Sequence, residues 1–147
     1  MLPTLTGRIQ IRIVLLLVVG GFWTTVLTPI LPGLQGSLGL RYATTYMILV
    51  TTIVVGIIWE LIYHLLMQFR WEKDWPTLFG LATIVPEGLV IWGLLKLNLV
   101  PFIHGPDVPL LAFIILFVIV WIAQWITANG PLRIPFVRWR FRGGRFV

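Results

Sequence analysis

The chain contains no cysteine and few charged residues. Of its 147 residues, Cys accounts for 0, and Asp, Glu, Lys and Arg together make up 11%. The lack of cysteine excludes disulfides, thiolate nucleophiles, iron–sulfur clusters and cysteine-ligated zinc. An ordinary soluble domain carries about a quarter charged residues, and the 59% hydrophobic content here exceeds what the interior of so short a chain can bury. The composition therefore excludes a water-soluble fold and predicts that lipid surrounds most of the protein.

Familiar catalytic patterns are also missing. The sequence has no P-loop, no HExxH pair, no serine–histidine dyad and no DD or NxxD phosphotransfer motif. We therefore expect no enzymatic activity and no bound cofactor. In a membrane protein the net charge of +6 acts mainly on topology and on anionic lipid headgroups, so we expect membrane lipids as partners and no nucleic acid.

Four long apolar stretches lie near residues 13–31, 44–68, 77–99 and 109–128. Each is long enough to cross a hydrocarbon core of about 30 Å, which takes ~20 helical residues. The first is longer than the ~7 to 15 apolar residues of a secretory signal, so we expect it to be retained. The sequence predicts an all-α integral membrane protein with four transmembrane helices in one membrane domain, 1–147, in which residues 129–147 form an Arg-rich tail.

The distribution of basic residues predicts the orientation of these spans. Nine of the 11 Lys and Arg residues precede the first span, lie between the second and third, or follow the fourth, whereas only Arg41 and Lys96 fall on the other side. Cytoplasmic loops carry the excess of Lys and Arg. We therefore expect both termini in the cytoplasm, and the composition suits a bacterial cytoplasmic membrane.

Two carboxylates stand inside the predicted spans, Glu60 and Glu87, and His64 follows Glu60 by one helical turn. A charged residue within a span costs about 2.5 to 3.5 kcal/mol, so it is a functional candidate by default. One interpretation pairs Glu60 with His64 and has Glu87 either protonated or hydrogen-bonded to a neighbouring helix, so that both hold the bundle together or dock a partner. A second makes Glu60, His64 and Glu87 a proton or cation path. A third uses His64 as a metal or haem ligand, since Glu-x-x-x-His places two ligands on one helical face.

Small residues in the first three spans predict close contact between helices, because they let backbones approach one another. We assign this packing role to Gly20, Thr24, Gly56 and Gly80. At the outer side, Lys96 is expected to extend to the membrane interface, or to contact a lipid phosphate. His104 and Asp107 are expected in a solvated turn.

The Arg-rich tail alternates basic with aromatic residues, a pattern that lets arginines reach lipid phosphates while aromatic rings enter the interface. It also suits a docking strand for an acidic partner, because Arg and Trp are frequent anchors of protein interfaces. The residues expected to contact lipid or a partner are Arg133, Arg138, Trp139, Arg140, Arg142 and Arg145.

A chain with these spans and without soluble domains or cofactor motifs has little chemical machinery of its own. We therefore expect a small accessory or structural subunit of a larger membrane-protein complex, which packs through its helices and docks through its tail. The alternative is a small proton- or cation-coupled transporter or channel with Glu60, His64 and Glu87 along its path.

Overall fold

The computed structural model describes residues 4–69 and 81–133, and these residues form helices and connecting loops without a β-strand. The helices are α1 (Leu5–Leu15), a π-helical segment (Leu16–Gly20), α2 (Gly21–Leu27), α3 (Leu38–Gln68), α4 (Ile84–Lys96) and α5 (Leu110–Asn129). Gly80 and residues 134–147 of the tail lie outside the described residues, and at Arg133 only the backbone is described.

Three helical stretches are long and apolar enough to cross a membrane: Leu5–Leu27, Leu38–Gln68 and Leu110–Asn129. The protein is therefore a helical protein of the membrane-spanning type. The predicted third span, 77–99, is described only from residue 81, and its helix α4 has 13 residues. Such a helix rises about 20 Å, which is shorter than the hydrocarbon core.

Local capping extends the first two membrane helices beyond the apolar stretches. Thr4 accepts a hydrogen bond from the Gly7 amide, so α1 begins at Leu5, well before residue 13. Ser37 accepts one from the Leu40 amide, so α3 begins at Leu38 rather than near residue 44. Hydroxyl side chains at these positions bond amides that have no partner within the helix. The difference from the predicted boundaries arises because hydropathy marks the lipid-immersed part of a helix and caps mark its end.

The π-helical segment keeps one face of the first transmembrane helix turned to the core. Buried residues recur every four positions along it, namely Arg12, Leu16, Gly20, Thr24 and Thr28. In a regular α-helix, steps of four residues rotate such a stripe by about 40° each. The wider π-turn, in which the Gly21 amide bonds the Leu16 carbonyl, rotates less per residue and compensates for this drift.

The core lies between α5 and the other helices. A column of aromatic side chains follows one face of α5, where Phe113 stacks on Phe117 at 5.5 Å between centroids and Phe117 on Trp121 at 5.9 Å. Trp92 of α4 joins the column at 5.2 Å from Phe113. Large apolar side chains on the opposite surfaces are exposed, for example Phe22 at 62%, as expected for helices that face lipid.

Candidate functional site: a buried arginine–glutamate network

Arg12 lies at the centre of a charged cluster inside the helix bundle. It is only 5% exposed, and the residues next to it along the chain are apolar. Its Nη1 donates to Glu60 Oε1 of α3 at 3.1 Å, and its Nη2 donates to Glu87 Oε2 of α4. The guanidinium carbon also lies 5.0 Å from the centroid of the Trp121 ring of α5. One side chain thus connects four helices through two ion pairs and a cation–π contact.

Arg8 stands one helical turn before Arg12 and extends the cluster towards the end of the bundle. Its Nη2 lies 2.6 Å from Glu60 Oε2, and its Nη1 lies 3.5 Å from the Met67 sulfur. The two oxygens of Glu60 therefore contact two different arginines. The result is a chain of charges in the order Arg8, Glu60, Arg12 and Glu87, which we call the Arg–Glu network.

Gly56 provides the space in which the Arg12 guanidinium lies. A Cβ at Gly56 would come within 2.2 Å of Arg12 Nε and 2.7 Å of Cζ, closer than non-bonded atoms approach. Gly56 is also one helical turn before Glu60 on α3, so the small residue and the carboxylate face the same arginine. The glycine predicted to permit close helix packing therefore lies against a buried side chain of a neighbouring helix.

Glu87 is completely buried and lies against the Arg12 guanidinium. It lies in the first turn of α4, near the positive end of the helix dipole, and is 0% exposed. Pro86 precedes it in the same turn, where a missing amide hydrogen costs no helical hydrogen bond. Two arginines and two glutamates balance within the network. This balance allows Arg12 and Glu87 to be buried and Arg8 and Glu60 to be partly buried, because isolated charges in such a site would carry a large desolvation penalty.

A cleft of about 160 Å³ opens beside the network. Arg8, Arg12 and Glu60 are its charged residues. Trp121 Nε1 and Gln124 Oε1 are buried atoms without a hydrogen-bond partner in the described part of the chain. Such atoms are uncommon in folded proteins and call for a ligand or water. The lining residues are Arg8, Arg12, Glu60, Tyr63, Thr83, Trp121, Gln124, Trp125 and Ala128.

The predicted polar residues have different positions in the structure. Glu60 and Glu87 both belong to the network, and Arg12 bridges them. The expected ion pair of Glu60 with His64 does not form, since Arg8 and Arg12 occupy the Glu60 oxygens, and His64 is not among the residues that line the cleft. Within residues 4–69 and 81–133, no group of three or more His, Cys, Asp or Glu is arranged to hold a metal ion.

The small residues of the first span are buried. A Cβ at Gly20 would come within 2.9 Å of the Leu49 side chain and 3.3 Å of Val120, so α3 and α5 both approach this glycine. Thr24 is 0% exposed. One turn later, Thr28 bonds the Thr24 carbonyl at 2.6 Å and the Thr45 hydroxyl at 2.8 Å. Close packing on this stripe is therefore combined with hydroxyl contacts between helices.

At the opposite end of the bundle, Lys96 organises the loop that precedes α5. Its Nζ donates to the carbonyls of Pro106 at 2.9 Å and Val108 at 3.1 Å, and it lies 4.4 Å from the centroid of Trp92. Its amine is thus bound to this protein's own loop instead of extending away from it. His104 and Asp107 in that loop are exposed, with 3.7 Å between Nε2 and Oδ1.

Sequence reasoning missed the arginines of the network. By sequence, Arg8 and Arg12 resemble ordinary basic residues that set topology, yet Arg12 has contacts with Glu60, Glu87 and Trp121. Two signals in the sequence point to this role. The arginines are four residues apart on one helix face, and Arg12 stands directly before the apolar run, deep enough to meet a carboxylate of another span.

Comparisons with protein-family models, curated proteins and solved structures found no match to this chain. The Arg–Glu network and the cleft are therefore the features that bear on its function.

Proposed function

We propose that the chain is a small structural subunit of a larger complex in a bacterial cytoplasmic membrane, with four transmembrane helices and both termini in the cytoplasm. The apolar outer surface and the excess of basic residues on one side support this placement. The Arg-rich tail is the element we propose for docking to anionic lipid or to a partner.

The pairing of both membrane carboxylates with arginine carries this proposal. A proton relay needs side chains that are free to exchange protons along a path, whereas Glu60 and Glu87 are each held in an ion pair with an arginine of α1. An arginine with two carboxylate partners on two other helices instead fixes how those helices pack. The network therefore supports a structural role more strongly than a transport role.

The outward face of α3 supplies a surface suited to an apolar partner helix. Val50, Val54, Ile58, Leu61 and Leu65 are exposed and follow one another at intervals of three or four residues. This spacing places them on one side of the helix. In a complex, such a stripe packs on a neighbouring transmembrane helix by van der Waals contact.

A proton- or cation-coupled transporter is the second candidate. The observation that favours it is the cleft, which brings polar atoms beside Glu60. In that case His64, which is half-buried on the same helix, would be the next group along the path.

Gentle extraction from the native membrane, followed by mass measurement of the intact assembly, tests the structural role. We expect the 16.8 kDa chain in a defined complex with heavier subunits. The Glu87→Gln variant should reduce the yield of that complex, and its liposomes should show the same pH-dependent flux as empty ones. A stable isolated monomer would contradict the proposal, and a proton flux that Glu87→Gln abolishes would establish the transporter.

A further inference from the structure

We propose that the cleft beside the Arg–Glu network binds the phosphate-containing headgroup of an anionic phospholipid. This inference rests on the membrane placement given above but not on the role as a subunit.

The depth of the cleft matches the inner headgroup region in the proposed orientation. Arg8 is in the first turn of α1 and Ala128 is in the last turn of α5, so the cleft lies where both helices end. At 1.5 Å per residue, Arg8 is about 5 Å from the end of its helix and Trp121 about 12 Å from the end of α5. The cleft therefore extends from the headgroup level towards the acyl chains.

Among the charged residues that line the cleft, Arg8 is the one suited to contact an anion. Arg8, Arg12 and Glu60 face the cleft, whereas Glu87, which balances the second arginine, is not part of its lining. The lining thus holds two arginines and one glutamate, although the network as a whole is neutral. Arg8 is the arginine available to a ligand, because its side chain is 19% exposed while that of Arg12 is 6% exposed and bonded to two carboxylates. A phosphate oxygen at Arg8 accepts a charge-assisted hydrogen bond.

The unpartnered polar atoms complement a phosphoglycerol group. Trp121 is 6% exposed, and its Nε1 is a buried donor without an acceptor among the described residues. Gln124 Oε1 is a buried acceptor without a donor among the described residues. A phosphodiester supplies acceptor oxygens for the indole N–H, and a glycerol hydroxyl supplies a donor for the amide oxygen. One ligand of this class supplies partners for both atoms and a phosphate oxygen for Arg8.

Native mass spectrometry of the purified protein with added phosphatidylglycerol tests the site. We expect one tightly retained lipid per chain and at least about tenfold weaker retention of a diacylglycerol with the same acyl chains, which lacks the phosphate. Arg8→Gln and Trp121→Phe should each weaken retention of phosphatidylglycerol about tenfold, as expected for the loss of one hydrogen bond to a charged group. The matched controls Arg41→Gln and Trp92→Phe alter the same residue types away from the cleft and should leave retention unchanged.

Competition with inorganic phosphate identifies the source of the phosphate group. We expect millimolar inorganic phosphate to leave the bound lipid in place, whereas its displacement of the lipid would assign the site to free phosphate and overturn the lipid proposal. Equal retention of phosphatidylglycerol and diacylglycerol, or undiminished retention in both cleft variants, would also overturn it. Heavier partner subunits appear in the same spectra as separate masses, so failure of the lipid site is distinguishable from failure of the subunit proposal. If Arg8→Gln does not fold, Trp121→Phe, which retains every charge, decides the result.

Discussion

A double-mutant cycle on Arg12 and Glu87 tests whether the Arg–Glu network holds the bundle together. Arg12→Met removes the shared partner and leaves Glu87 buried at 0% exposure without its guanidinium. Glu87→Gln leaves Arg12 with Glu60 and gives the network one excess positive charge. The double variant removes one charge of each sign and leaves Arg8 paired with Glu60.

The magnitude follows from the geometry of the contacts. At the 3.1 Å between Arg12 Nη1 and Glu60 Oε1, two unit charges attract by about 5 kcal/mol for an effective dielectric constant of ~20. Desolvation of the buried ions offsets much of this attraction. We therefore expect each single variant to lower the free energy of unfolding by about 3 to 5 kcal/mol, because it leaves a buried charge uncompensated. The double variant should lower the free energy of unfolding by about 1 to 3 kcal/mol, clearly less than the sum of the two single effects, because it removes one charge of each sign and leaves a buried amide in place of the ion pair.

Unfolding in mixed micelles of mild detergent and dodecyl sulfate, followed by circular dichroism, measures these differences. Arg41→Met, which removes an arginine of α3 outside the network, is the control and should be much less destabilising. The proposed structural role of the network would be refuted if each single variant lowered the free energy of unfolding by less than about 1 kcal/mol. A double variant whose free energy of unfolding falls by the sum of the two single effects would also refute it. Additive effects would mean that the two residues act independently and not as a coupled pair.

Three further predictions follow from individual contacts. Gly56→Ala should displace the Arg12 guanidinium and destabilise the bundle by about 2 kcal/mol or more in the same micelle assay, whereas Gly93→Ala, with open space around its Cα, should be neutral or stabilising by up to about 1 kcal/mol. Lys96→Gln should loosen the loop that precedes α5 by removing the ammonium that binds two loop carbonyls, so hydrogen exchange there should accelerate while exchange in α3 stays unchanged. Since the chain has no cysteine, Ser37→Cys gives a single thiol that an impermeant reagent should label in intact cells; labelling only after lysis would contradict the proposed orientation.

The sequence alone was sufficient to predict the helical membrane class, because hydropathy over ~20 residues depends on composition and not on packing. Helices α1 to α3 and α5 coincide with three of the four apolar stretches. Helix ends were less predictable, since they depend on single side chains such as Thr4 and Ser37. The π-helical segment was not predicted, because Leu16–Gly20 has the composition of any apolar helix.

In the candidate site, the two carboxylates could be predicted from the sequence but their arginine partner could not. Glu60 and Glu87 stood out because a carboxylate inside an apolar run is costly wherever it points. Their partner did not stand out, because an arginine near the end of a span is also the ordinary topology signal. The rotation of α1 about its axis decides between these roles, and rotation is set by packing against the neighbouring helices. In the structure, that packing directs Arg12 towards Gly56 and both carboxylates.

The two roles of the N-terminal arginines are compatible. Arg8 and Arg12 are counterbalanced by Glu60 and Glu87 in the folded bundle, so they contribute little free charge on their side of the membrane once folding is complete. Without these two arginines, seven basic residues still remain on that side, compared with two on the other side. Carboxylates have little influence on orientation during insertion. The proposed orientation therefore does not depend on the arginines that the network uses. Arg8 and Arg12 are free to act first as insertion signals, before the spans that carry Glu60 and Glu87 exist, and then as the ion-pair partners that bring those spans together.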